Sequence, residues 1–202
     1  MKMQLALMWS IAGCMPTADI DHPQEGQGLS DTGLLPHDAQ GAGDGTVGSS
    51  VVVVSAIADD YSIGTVVTVD MSSLSVTENL TTATGDSVVV ATGGRAVVLN
   101  RLNIDTVRIY EPNVWTQPKV EFALPDLSNP QDAIDCNGRL WVSQHNEASI
   151  TAHGLNNGFV VDSVDLSEWA GTDGAAEASS MRRYGDDILL AVQQFDQVDG
   201  WA

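Results

Sequence analysis

From residue 50 onward, apolar positions come in short β-branched runs: "SVVVVSA", "GTVVTVDM", "SVVVATGG", "AVVLNR", "DTVRIYEP", "KVEFAL", "RLWVSQ", "SITAHG" and "VVDSVDLS". Gly, Asn and Asp separate them, and no window holds a 3.6-residue apolar period long enough for an amphipathic helix. Runs of this length with turn punctuation predict strands, so residues 50–202 are expected to form an all-β domain. Residues 14–49 have a different texture, rich in Gly, Pro, Asp, Ser and Gln, without an aromatic residue or an apolar period. Such a segment buries too little surface to offset its ordering entropy and is expected to act as a disordered acidic tether. Before it stands "LALMWSIA", Leu5 to Ala12, preceded by Lys2. It is too short to span a bilayer and matches the apolar region of a signal peptide over residues 1–13.

The strands recur in order. Tight-turn dipeptides stand at Gly93-Gly94, Asn137-Gly138 and Gly185-Asp186, with Gly94, Gly138 and Gly185 following one another at 44 and 47 residues. A strand precedes and follows each pair. A two-residue hairpin needs positive φ, which Gly and Asn adopt at little cost. Four antiparallel strands every 40 to 50 residues, roughly, describe one blade of a β-propeller. A β-sandwich built from hairpins is the competing architecture, and it does not require such even spacing.

The stretch "NPQDAIDCNGRLWVSQHNEASITAHGL" is similar to repeats of the YVTN or lactonase-like β-propeller family, through Asn129, Pro130, Asn137, Gly138, Trp141 and Val142. The resemblance covers about residues 50–202. It implies the fold more than the activity, because propellers host many unrelated functions. The first repeat shows only three strands, and "GAGDGTVG", which should supply its innermost one, is too Gly-rich for a good strand. The last repeat stops after "DILLAVQQFDQVDGWA", without its outer two strands. About three four-stranded blades are therefore expected, an incomplete ring to be closed by missing C-terminal blades or by a second chain.

Ile11-Ala12-Gly13-Cys14 resembles the lipobox of bacterial lipoproteins, with Ile in place of the commoner Leu. The resemblance implies cleavage before Cys14, acylation of its thiol and a membrane partner reached through the lipid. Several acyl chains, at about 0.8 kcal/mol per buried methylene, hold where one chain would not. Met15, in place of the Asp that often retains lipoproteins at the inner membrane, points to the outer membrane.

Charge then narrows the partners. A net charge of −19 excludes a phosphate-backbone ligand, which needs clustered Lys and Arg, so no nucleic acid is expected. With Cys14 committed to lipid, Cys136 is expected to be a small buried thiol without a disulfide. "DAIDCNG" places Asp135, Asn137 and Gly138 as in a calcium loop, but Ala133 and Gln144 stand where two essential oxygen ligands belong. His22 and His37 lie in the tether without fixed geometry. There is no nucleophile elbow, no His-Glu-x-x-His and no phosphate loop. Hence no catalytic residue, metal ligand or cofactor is assigned.

What remains is the set of loops after each second strand, which a propeller gathers on one face. They hold Asp59, Asp60, Tyr61, Asn100, Arg101, Asn103, Gln144, His145, Asn146, Glu147, Gln193, Gln194 and Asp196. Carboxylates, amides and one His converging there could bind a small polar ligand or a cation. His145 with Glu147 is a candidate acid–base pair. Trp115, Trp169 and Trp201 are expected to pack between blades. Two function classes follow: a surface or periplasmic binding module for a protein or polymer, and a metal-dependent lactonase or hydrolase-type enzyme.

Overall fold

The computed structural model describes residues 51–185 and 187–194, together with the backbone of Leu7–Trp9. Its strands are β1 (Leu7–Trp9), β2 (Val51–Ile57), β3 (Gly64–Asp70), β4 (Val76–Ala83), β5 (Ser87–Thr92), β6 (Arg95–Asn100) and β7 (Thr106–Tyr110). They continue as β8 (Val120–Ala123), β9 (Pro130–Cys136), β10 (Arg139–Gln144), β11 (Ser149–Gly154), β12 (Val160–Asp165), β13 (Ala178–Tyr184) and β14 (Asp187–Val192). Four antiparallel sheets result, in the orders β2-β3-β4, β5-β6-β7-β8, β9-β10-β11-β12 and β13-β14-β1. The chain is all-β and its sheets follow one another as the blades of a partial propeller.

The hairpin corners are where the spacing put them. Thr92 pairs with Arg95, Cys136 with Arg139 and Tyr184 with Asp187, each across two residues. Gly93, Gly94, Asn137 and Gly138 have φ of +54°, +72°, +57° and +70°, the left-handed pair that twists two strands together correctly. In these three hairpins the first strand, β5, β9 or β13, is innermost, and β9 lies between the other two.

Neighbouring sheets bury their faces against each other in three successive cores. Val66 and Ala83 meet Ala96, Val98 and Tyr110. Val90, Val97, Leu99 and Ile109 meet Ala133, Leu140 and Val142. Ile134, Trp141, Ile150 and Ala152 meet Ala176, Ala178, Met181 and Ile188. The two central sheets are covered on both faces. Their second strands, β6 and β10, are consequently buried at five of six positions, and they read as continuous apolar runs instead of alternating ones. Trp115 and Trp169 pack on the first and third cores, as expected, while Trp201 lies outside the described residues.

Among the described residues the sheets number four, two with four strands and two with three, in line with about three blades, and two other expectations need adjusting. In the first sheet, β2 stands against β5 as β6 stands against β9 and β10 against β13, so β2 holds a second-strand position, and among the described residues no strand lies inside it. The innermost place was assigned to "GAGDGTVG", residues 41–48, which lies outside the described residues. The last sheet, expected to lack both outer strands, has β1 in its third place, with Leu7 opposite Leu190 and Trp9 opposite Ile188. An open strand edge accepts an apolar segment from any point in the chain, and reading in sequence order considers only adjacent ones. Finally, Cys136 is in a disulfide, not a free thiol. The contrary expectation followed from reserving Cys14, the chain's one other cysteine, for lipid; Cys14 lies outside the described residues.

Candidate functional site

The loops after the second strands are joined into a belt by side-chain and backbone contacts. At one end Tyr61 of the β2–β3 loop lies against Gly85, whose Cα has its free position directly over the Tyr61 carbonyl. Tyr61, Thr84, Asp86, Arg101, Leu102 and Ile104 line one open cleft there. Arg101 is fixed on both sides: its Nε donates to Asp86 Oδ1 at 3.0 Å and its Nη1 to Gln131 Oε1 at 2.9 Å. Gln131 Nε2 in turn donates to Asn129 Oδ1 at 2.8 Å. The His145 amide donates to the Asn129 carbonyl and the Asn146 amide to the Ser128 carbonyl, which brings the β10–β11 loop onto the same belt. Glu147 continues it, its carbonyl accepting from the Ala176 amide, and the Gln193 amide reaches the Glu177 carbonyl. Gln194 Nε2 donates to the Trp169 carbonyl at 3.4 Å.

Asp105 is the fixed point beneath this belt. It is 2% exposed, and its carboxylate accepts the amides of Leu127 at 2.8 Å and Asn129 at 2.9 Å. Leu127 and Asn129 sit at φ of +65° and +53°, costly backbone for which these two bonds supply the constraint. Charge-assisted bonds from backbone N–H groups are the strong kind.

The structure sorts the thirteen sequence-chosen residues. Asp59, Asp60, Tyr61 and Asn103 are exposed on the loops, as are Gln193 and Gln194, while Arg101, His145, Asn146 and Glu147 are half-buried. Asp196 lies outside the described residues. Asn100 and Gln144 are corrected: both are wholly buried at the ends of β6 and β10 and present nothing to a ligand. Asn100 accepts the Thr84 amide at 3.2 Å and donates to Thr106 Oγ1 at 2.9 Å; Gln144 Nε2 donates to Thr151 Oγ1 at 3.2 Å. These two amides close the ends of equivalent strands, a structural task that spacing alone could not separate from a loop role. The His145–Glu147 pair is not formed. His145 Nδ1 instead meets the acceptor Asn146 Oδ1 at 3.1 Å and therefore carries the proton. Among the described residues no three His, Cys, Asp or Glu side chains stand close enough together to hold a metal ion.

Below the loops the Gln144 bond begins a directed chain. His153, 2% exposed, has Nδ1 3.0 Å from the Gly158 carbonyl, which can only accept, so Nδ1 carries the proton. Its Nε2 then accepts from Thr151 Oγ1 at 2.8 Å, leaving that oxygen to accept from Gln144. The ring stacks on Phe122 at 4.4 Å. Burial holds the His153 pKa below 6.5, with the Gly158 carbonyl opposing that shift. On the surface, the hydroxyl and amide of Ser62 lower the Asp60 pKa, keeping that loop anionic.

Sequence reasoning missed Asp86, Asp105, Asn129 and Gln131 as belt residues. Asn129 alone carried a signal, as the Asn of the Asn-Pro that opens a repeat; the others are separated from their partners by 15 to 30 residues.

No family model and no curated protein matches the chain. Among solved structures the chain is similar to BamB from Moraxella catarrhalis, at 12% identity and a TM-score of 0.41, over 71% of this chain and 48% of that one. It is also similar to a chain of the mitotic checkpoint complex, at 15% identity and a TM-score of 0.47, over 88% of this chain and 54% of that one. The chain thus spans about half the length of these solved chains.

Proposed function

We propose that the protein is a lipid-anchored interaction module of a bacterial envelope, whose belted loop face binds a protein partner. The observation that carries the binding reading is the cleft at the first two sheets. There Tyr61, Leu102 and Ile104 are 74%, 54% and 52% exposed, on loops held by backbone bonds from the Tyr61 amide to the Ala58 carbonyl and from the Arg101 amide to the Asp86 carbonyl. Rigidly held, exposed apolar side chains suit a macromolecular partner. Asp59 and Asp60 flank them, so the partner segment that fits is apolar with basic flanks. Arg101 adds little to this charge, because Asp86 already pairs with it.

The anchor rests on Leu5 to Ala12 and on Ile11-Ala12-Gly13-Cys14. A sulfur in a disulfide cannot also form a thioether, so the anchor requires that the Cys14 sulfur stand outside the Cys136 disulfide. Cleavage before Cys14 would also remove β1 from the edge of β14.

Photo-crosslinking from position 102 in the full chain, expressed in a bacterial envelope, tests the binding reading. A discrete crosslinked protein that disappears in Ile104→Asp is expected, and absence of any adduct refutes it. The mass of the membrane-extracted chain tests the anchor. An acylated form beginning at Cys14 supports it, and an unprocessed chain with an intact disulfide ends it.

A further inference from the structure

The chain has two Asn-Gly pairs, Asn137-Gly138 and Asn157-Gly158. At such a pair the glycine amide nitrogen can attack the asparagine side-chain carbonyl, and glycine puts no side chain in the way. By sequence the two pairs rank alike. Their surroundings differ.

In Asn157-Gly158 both reacting groups are held. Asn157 Oδ1 accepts the Phe159 amide at 3.0 Å, which turns the carboxamide past Gly158. The Gly158 amide, the attacking group, donates to the Gly154 carbonyl at 2.8 Å, and the Gly158 carbonyl meets His153 Nδ1 at 3.0 Å. Gly158 is buried against Phe122, so close that a Cβ there would stand 2.6 Å from the ring.

Asn137-Gly138 is open. Both residues are exposed at the β9–β10 corner, and among the described residues no hydrogen bond reaches the Asn137 carboxamide. A Cβ on Gly138 would meet nothing within 4 Å. Asn137 must leave its φ of +57° before Cγ can reach the Gly138 nitrogen, and at an exposed corner that swing displaces no packed group. The Gly138 amide donates to Asp135 Oδ1 at 3.1 Å, so the proton this nitrogen must lose faces a carboxylate.

We infer that Asn137 is a site of intramolecular deamidation in the folded chain, with water as co-reactant. The Gly138 nitrogen bonds to Asn137 Cγ, the Cγ–Nδ2 bond breaks, and ammonia leaves with the proton from the Gly138 nitrogen. Water then opens the cyclic imide at either carbonyl, giving aspartate or isoaspartate, and nothing is oxidised or reduced. Either product adds negative charge to a chain already at −19, beside the Arg95–Asp135 contact that joins the second and third sheets. Isoaspartate also lengthens by a methylene the backbone of a turn whose ends, Cys136 and Arg139, are paired. The corner is at the opposite end of β10 from the loop belt, so conversion and binding there are separate matters.

Peptide mapping by mass spectrometry tests the inference on the full chain held in warm, mildly alkaline buffer. Asn137 should show the mass gain of an amide-to-acid change about tenfold faster than Asn157 or more, as expected between an open corner and a locked one. Its product should divide into aspartyl and isoaspartyl peptides, the mark of an imide. In urea, where the contacts of Gly158 are gone, the two sites should convert alike. Asn157 keeping pace in the folded chain, no conversion at Asn137, an aspartyl product alone, or an Asn137 advantage undiminished in urea overturns the inference.

Discussion

Asp132 joins the third and fourth sheets, and truncating it should loosen that joint measurably. It lies in the innermost strand β9, 5% exposed, and its Oδ2 accepts the Met181 amide of β13 at 2.7 Å and Arg182 Nη1 at 3.2 Å. Met181 is itself 1% exposed, so Asp132→Ala leaves an N–H facing a dry core. An orphaned buried donor costs about 1–3 kcal/mol. Against that stands the relief of removing a buried carboxylate, so the net loss should fall in the lower part of that range, about 1–2 kcal/mol, or roughly 2–8 °C in melting temperature. Asp132→Asn keeps an acceptor for Met181 and sheds the charge, and should lose less than about 1 kcal/mol. Urea unfolding followed by tryptophan fluorescence reads both. Burial is the largest influence on the Asp132 pKa and raises it above 3.8, against the opposing Met181 and Ala133 amides and Arg182. The native chain therefore binds this proton before the unfolded chain does. Stability withheld by the ionised group returns as pH falls through the raised pKa towards 3.8, so wild type should gain on Asp132→Asn over that window. Equal stability of the Ala and Asn variants, within about 0.5 kcal/mol, would refute the role assigned to this carboxylate.

Further outcomes follow from the same contacts. His153 has its native pKa below 6.5, so its contribution is complete above pH 6.5 and is lost as pH falls from there through the native value; a His153→Gln chain should lack that slope in its stability–pH profile. Gly93→Ala should cost more than Gly138→Ala in chemical denaturation, although both sit at positive φ. A Cβ on Gly93 would stand 2.8 Å from that of Asp135, while one on Gly138 meets nothing within 4 Å and costs about 1 kcal/mol. Leu140→Ala, at a fully buried position of the second core, should lose about 2–5 kcal/mol, readable as a lower urea midpoint at unchanged m-value.

Particular residues show how far reading the sequence reaches. Gly93-Gly94 and Asn137-Gly138 announced their hairpins because a two-residue turn imposes φ on those residues and on nothing distant. The same dipeptides, evenly spaced, exposed the repeat and with it the sheet order. Asn100 and Gln144 looked like loop residues because polarity at a strand end is ambiguous; only the positions of Thr84, Thr106 and Thr151 turn them inward. Asp105 carried no signal at all, since its partners are 22 and 24 residues away.

The sequence by itself determined the all-β class, the hairpin corners, the recurrence of the sheets and the acidic charge. Each follows from local steric preference, from side-chain periodicity or from a sum over composition. Tertiary structure alone decided that β1 lies beside β14, that Cys136 is oxidised, that Asp132 holds Met181 across 49 residues, and that Arg101 spans Asp86 and Gln131. Those contacts depend on which strands become neighbours once the sheets stack, and burial then forces every enclosed polar group to find a partner that no short window of residues contains.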